Sequence, residues 1–199
     1  MKEEILQTSL SQFLRYGIRE VSIQKLVEPL GISTKTVYKY FKNKEELLED
    51  ALSLLNMSGV KEWEKMLATH NTVVLFFEIW RLAVEAEYNV SKAFYYDLHH
   101  YYPALDGKYE AMLTKKYKHQ FVEIIQRGIE EGLFLTTVNA EVSLESISVL
   151  FKAIARQGHF KNFKLSAHTL TLNILAVFIR GFCTQKGARL LEVHIHSIK

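Results

Sequence analysis

Apolar residues recur along this chain at helical rather than alternating spacing. Ile5, Leu6, Leu10, Phe13 and Leu14 form one stripe, and Gly17 follows where a helix C-cap glycine sits. Ser22 can cap a short second helix with Ile23, Leu26 and Val27 inward, ending near Leu30 and Gly31. Ser33 can cap a third, running to about Tyr40 or Phe41. Asn43 and Glu46 have capping-box spacing, and Leu47, Leu48, Ala51, Leu52 and Leu55 carry the fourth helix onward. Pro29 falls near the end of the second helix, where a ring without an N–H predicts shortening or a kink.

Longer patterns follow. Val73, Phe76, Phe77, Trp80 and Val84 predict a helix from Val73 to Tyr88. Ser91 starts a short segment that Pro103 terminates, and Tyr117, Phe121, Ile124, Ile125 and Ile129 keep helical spacing until Gly132. Two final helices are predicted at about 140–157 and 166–183. The latter, LTLNILAVFIRGF, is apolar nearly all round, so it is expected to pack on most sides, subunit contact included. No strand, fixed-period repeat or low-complexity run is evident. The reading is an all-α fold of about nine helices.

Composition agrees with helices and excludes several functions. Nine Gly and two Pro are few punctuators for a β-sandwich or barrel. A net charge of +3 is too mild to imply nucleic acid by itself, so any electrostatic argument must be local. Cys183 is the only cysteine, which rules out an intrachain disulfide and a thiolate zinc cluster and fits a reducing compartment. It lies in the apolar final helix, where a buried, inert thiol is expected. The opening run MKEEILQTSLSQFL is amphipathic, unlike a signal peptide, and the apolar run from Leu170 to Phe182 contains Asn173 and Arg180 and is too short for a bilayer. A cytoplasmic protein with no membrane partner is expected. His99 and His100 are adjacent and His194 and His196 two apart, neither being the i, i+4 spacing that converges on a metal, and no catalytic or dinucleotide motif is present. Neither metal, cofactor nor catalytic residue is therefore expected.

The local charge pattern is concentrated at one place. From Ser33 to Lys44 there are four lysines, two tyrosines, two threonines and no acid, and then Glu45 and Glu46 arrive together. Val37 and Phe41 share one face of this helix, while Lys35, Thr36 and Lys39 lie opposite and Tyr38 and Tyr40 flank the boundary. Lysine neutralises phosphate or donates to guanine, threonine packs on the thymine methyl, and tyrosine hydroxyls bond phosphate oxygens. The two glutamates fall in the first turn of the next helix, where the dipole favours anions. A solvated basic face is the alternative for such a run taken alone. Two capped short helices around a Gly31 turn instead make a helix-turn-helix.

At this point the chain resembles a known family. Through ILQTSLSQFLRYG, VSIQKLVEPLGIS and TKTVYKYFKNKEELL, and their spacing, residues 4–50 resemble the DNA-binding domain of the TetR family of bacterial regulators. The resemblance implies base-edge reading by Thr34, Lys35, Thr36 and Lys39. It implies phosphate contacts by Tyr38, Tyr40 and Lys44, with Ser22, Gln24 and Ser33 adding to the DNA-binding surface. It further implies a helix-turn-helix domain over 1–48 and a helical effector-binding and dimerisation domain over 49–199. Members are homodimers joined mostly by their last two long helices, here through Ile147, Leu150, Phe151, Ile154, Leu172, Leu175, Phe178 and Ile179.

The implied protein is a ligand-responsive repressor on a roughly palindromic double-stranded operator. Six of the fifteen residues from Tyr88 to Tyr102 are Tyr or Phe. Bulky core is one reading of this aromatic richness. The other is a pocket for an apolar or aromatic effector, lined from Phe76, Trp80, Tyr95, Tyr96, His99, Tyr117 and Phe121. An activator of the same family, and a small-molecule-binding protein or enzyme with a non-functional helix-turn-helix, are the alternatives.

Overall fold

The computed structural model describes residues 1–67 and 71–198, the side chains of 56–65, 67, 116 and 161 excepted. Among these residues the chain is helical and forms no strand, a lone antiparallel bridge between Phe134 and Cys183 aside. It divides into two compact units, Met1–Glu62 with Val90–Leu113, and Trp63–Asn89 with Thr114–Lys199. The division does not follow a linear boundary at 48/49. Residues 90–113 pack with the N-terminal helices because Phe94, Leu98 and Leu105 complete their core.

The first unit contains α1 (Lys2–Tyr16), α2 (Ile23–Val27), α3 (Thr34–Tyr38), the start of α4 (Lys44–Leu67), α6 (Lys92–Tyr101) and the start of α7 (Pro103–Glu130). Its core is Ile5, Phe13, Ile18, Val21, Leu26, Val37, Phe41, Leu47 and Leu48, joined by the α6 and α7 residues just named. α2 is short for the reason expected of Pro29: the α-helix stops at Val27 and Glu28–Leu30 continues as one 3₁₀ turn. Gly31 then takes the left-handed conformation (φ 61°, ψ 27°) that reverses the chain toward α3. Pro103 ends one helix and opens the next, sitting at the first position of α7 where a missing N–H costs nothing. α7 is accordingly much longer than the apolar spacing from Tyr117 indicates.

The second unit contains α5 (Thr72–Tyr88), the remainder of α7, α8 (Ala140–Ala155), α9 (Ala167–Leu170), α10 (Ala176–Phe182) and α11 (Gln185–Ser197). Asn71, Asn139, Ser166 and Thr184 cap four of these helices, each side-chain oxygen accepting a backbone N–H three residues on. A π-helical segment, Thr171–Leu175, joins α9 to α10. α11 is a helix the sequence reading omits, and it packs Leu191 and Ile195 into the core. α5 is central, with Phe76 and Phe77 fully buried.

Two charged groups are built into this second core. Glu78 is 5% exposed and takes Arg81 in a fork, Nε at 2.9 and 3.0 Å and an Nη at 2.7 Å, and accepts His194 Nε2 at 2.8 Å. Burial pushes the Glu78 carboxyl up, but the hydrogen bonds and charges of Arg81 and His194 outweigh it and hold it below the usual 4.5. Arg156 forks onto Glu87 in the same way at 2.5 and 3.0 Å, tying the end of α8 to α5.

Candidate nucleic-acid interface

α3 is five residues long, too short to be stable through its own hydrogen bonds, so its position comes from caps and packing. The Ser33 hydroxyl accepts the Thr36 N–H at 3.2 Å and pairs with the Thr36 hydroxyl at 3.0 Å. Val37 and Phe41, each 1% exposed, anchor the opposite face. Outward, Thr34, Lys35, Tyr38, Lys39, Tyr40 and Lys42 are exposed, and Thr36 is half-buried by its own cap contact. The α-helix ends at Tyr38 with Lys39 as C-cap, and the chain leaves it through a turn in which the Tyr40 and Phe41 N–H groups donate to the Val37 carbonyl at 2.9 and 3.1 Å.

α2 approaches the same turn. Ser22 accepts the Lys25 N–H at 3.2 Å and so caps α2, while Ser22 and Gln24 remain exposed. Between α3 and α4 Asn43 caps the helix, its Oδ1 accepting the Glu46 N–H at 2.8 Å, while the Glu46 carboxylate reaches one residue further back than a capping box requires and accepts the Lys42 N–H at 2.6 Å. The sign reversal at Glu45 is thus a helix start.

Lys44 departs from expectation. Its ammonium turns inward, donates to the Ile18 carbonyl and lies 5.8 Å from the Phe13 ring centroid. Burial lowers its pKa, the Asp97 carboxylate opposing and Arg19 reinforcing that shift. It is therefore not a free phosphate donor in this arrangement. Lys42, two residues earlier, is exposed. The turn before α2 also supplies an exposed Arg19, whose guanidinium stacks 4.3 Å over the Tyr101 ring and donates to its hydroxyl at 2.8 Å. The sequence reading missed Arg19, because nothing local marks an arginine that a helix eighty residues away will orient.

The residues expected to line one effector pocket fall into two groups. Phe76, Trp80 and Phe121 come together in the second unit, Phe76 meeting Trp80, Phe121, Phe134 and Phe182 edge to face at 5.9 to 6.5 Å, and Trp80 stacking on Phe121 at 5.0 Å. Tyr117 packs half-buried against this cluster, burial raising its hydroxyl pKa. The Trp80 indole N–H is buried without a hydrogen-bond partner among the described residues, as is the Thr171 hydroxyl of the π-helical segment. Tyr95, Tyr96 and His99 belong to the first unit. Tyr95 packs on its core, Tyr96 is exposed and stacks on His100 at 4.0 Å, and His99 is exposed and pairs with Asp106 at 2.9 Å. The helical wheel of α6 turns Tyr96 and His99 outward once Phe94 and Leu98 are buried.

The residues expected at a subunit face divide by burial within the chain. Ile147, Phe151, Ile154, Leu175 and Ile179 are buried within the second unit's own core. Leu150, Leu172 and Phe178 are partly buried at its edge. The apolar residues left outward are Val142 and Val149 on α8 and Val177 on α10, 63%, 58% and 54% exposed, and a shallow groove between these helices is lined by Val142, Ser146, Val177, Phe178 and Gly181. Periodicity locates two apolar faces on such helices but does not say which one the chain keeps for itself.

The N-terminal segment is also the part of the chain that a family model matches. Residues 5–51 match the family model of bacterial regulatory proteins, tetR family. No curated protein matches the chain in sequence. Solved structures resemble it in fold. A transcriptional regulator from Saccharomonospora viridis, in complex with choline, superposes with a TM-score of 0.77 at 16% identity, over 92% of this chain and 98% of that one. A TetR transcription regulator from Haloarcula marismortui gives 0.74 at 19% identity, over 92% and 98%. The regulator FadR from Bacillus subtilis, in complex with stearoyl-CoA, gives 0.66 at 16% identity, over 92% and 100%. Residues 5–51 thus match the tetR family of bacterial regulatory proteins, and the all-helical fold of the chain resembles that of solved regulators of this kind.

Proposed function

We propose that this regulator is a ligand-responsive repressor that binds a roughly palindromic double-stranded DNA operator as a homodimer. The observation that carries the reading is α3: a helix capped by Ser33 and pinned by Val37 and Phe41, with Thr34, Lys35, Thr36 and Lys39 directed to base edges and no acid among them. Tyr38, Tyr40 and Lys42 take phosphates beside it, with Ser22 and Gln24 adding contacts from the start of α2. Lys39 is the principal specificity residue. The exposed stripe of Val142, Val149 and Val177, with Leu150, Leu172 and Phe178 at its edge, is the subunit face that sets two such heads on one duplex.

The effector is an apolar or aromatic small molecule held among Phe76, Trp80, Tyr117 and Phe121. The buried, unpartnered Trp80 N–H favours a ligand bearing a hydrogen-bond acceptor, since indole only donates. Neighbours of the same fold hold ligands as different as choline and stearoyl-CoA, so the chemistry is set by these side chains and not by the fold. To turn occupancy from 99:1 bound to 1:99, a ligand must prefer the released state by about 5.5 kcal/mol.

The test is binding of the purified protein to fragments of its own upstream DNA, measured by fluorescence anisotropy with and without 200 mM salt. Sequence-preferring binding that weakens with salt is the expected result. Its complete absence, together with turnover of a metabolite, would replace the reading with a binding protein or enzyme whose helix-turn-helix no longer functions.

A further inference from the structure

The turn from α1 to α2 is held from below by two charged side chains that no surface role explains. Gly17 (φ 92°) lies against α6 so closely that an added Cβ would stand 2.8 Å from the Ala93 Cβ and 3.2 Å from Asp97 Oδ2. The Ser91 N–H donates to the Leu14 carbonyl at 2.7 Å, and the Arg19 N–H donates to Asp97 Oδ2 at 2.8 Å. Asp97 is 6% exposed. Between Gly17 and Arg19, the Ile18 carbonyl receives the Lys44 ammonium, which stands in the field of that same Asp97 carboxylate. α1, α4 and α6 therefore meet at one polar node beneath residues 17–19, just upstream of the Ser22 cap.

We propose that Lys44 and Asp97 form an internal tie that positions α2 and α3 for DNA, and that Lys44 is a positioning residue with no phosphate contact. The proposal rests on the DNA-binding reading for its functional half. A lysine at the first position of a helix could equally reach out to phosphate, and four carbons of stem are long enough for either direction. Here the inward direction is favoured because the Ile18 carbonyl would otherwise be left facing the core. The carboxylate supplies the charge that a half-buried ammonium requires. Asp97, in turn, gives the Arg19 N–H its acceptor. Removing either member loosens the turn that aims α2 and α3 while leaving every exposed lysine in place.

The test compares Lys44→Met, Asp97→Asn and their double variant with Lys42→Ala. All are measured where far-UV circular dichroism shows them fully folded, against a DNA fragment that the wild type binds. Lys44→Met is expected to weaken binding on the order of tenfold while the slope of log K against log salt stays at the wild-type value. Lys42→Ala is expected to flatten that slope by about 0.9, the loss of one released counterion. Asp97→Asn keeps an acceptor for Arg19 and removes only the charge, so it should weaken binding less and fold more readily. A slope flattened by about 0.9 in Lys44→Met would put the ammonium on phosphate and overturn the proposal. Thermal unfolding of the two single variants and the double variant must also be non-additive; additive shifts in melting temperature would overturn the tie. If the wild type binds no DNA preferentially, the regulator reading falls, and the thermal cycle still decides whether the tie exists.

Discussion

Replacing Glu78 by Gln tests whether the buried charge cluster holds the second unit together. Three donors converge on this carboxylate, two from the Arg81 fork and one from His194 on α11, and the side chain is 7% exposed. Glutamine keeps one acceptor oxygen but turns an amide toward the guanidinium. Breaking a buried pair by removing one partner costs about 3 to 5 kcal/mol. Arg81 retains Glu85 at 2.7 Å, so the lower end applies, about 3 kcal/mol.

Urea unfolding followed by far-UV circular dichroism near neutral pH reads this as a lower midpoint at unchanged slope. The acid limb gives a second reading. Because the folded carboxyl titrates below 4.5, its contribution is fully present above that pH and is lost as pH falls through the lower folded value. The gap between wild type and Glu78→Gln should therefore narrow as the solution is acidified below 4.5. A gap under about 0.5 kcal/mol near neutral pH, the range of ordinary surface changes, would refute the reasoning. So would a gap that does not change with acid.

Four further outcomes are expected. Lys39→Ala should change which bases are preferred in a binding-site selection, and unchanged preference and affinity would remove Lys39 from base reading. Val149→Glu or Val177→Glu should convert dimer to monomer in light scattering and weaken operator binding, whereas Ile147→Ala, buried at 0% exposure, should instead cost about 2 to 4 kcal/mol of folding stability. Gly187→Ala should lower the melting temperature although helix propensity alone would add about 1 kcal/mol, because the new Cβ overlaps the Leu133 carbonyl oxygen that receives the Thr184 N–H at 2.9 Å. The Cys183 thiol, pushed up to about 12 by burial against the pull of Arg180, should resist a disulfide reagent at mildly alkaline pH until the protein unfolds.

What could be read without coordinates was short-range. Ser22, Ser33 and the Asn43–Glu46 pair each satisfy an N–H within three or four residues, so their caps are encoded locally. Pro29 shortens α2 through its own ring. α11 was legible too, since Thr184 caps it and Leu191 and Ile195 share its inward face. The effector set failed differently. Aromatic density near Tyr95 and Tyr96 says that rings are buried somewhere, not in which core, and residues 90–113 pack with the N-terminal helices.

By itself the sequence determined the helical class, the helix-turn-helix and the acid-free outward face of α3. Each of those rests on spacing within a turn or two of helix, where neighbours in sequence are neighbours in space. Tertiary structure alone decided that Lys44 points to Ile18, that Arg19 lies on Tyr101, and that α8 keeps Ile147 and Phe151 for its own core while leaving Val142 and Val149 outside. An amphipathic helix offers more than one apolar stripe and a lysine more than one direction. The choice is made by which partners the rest of the chain brings within a few ångströms, and no local pattern contains that information.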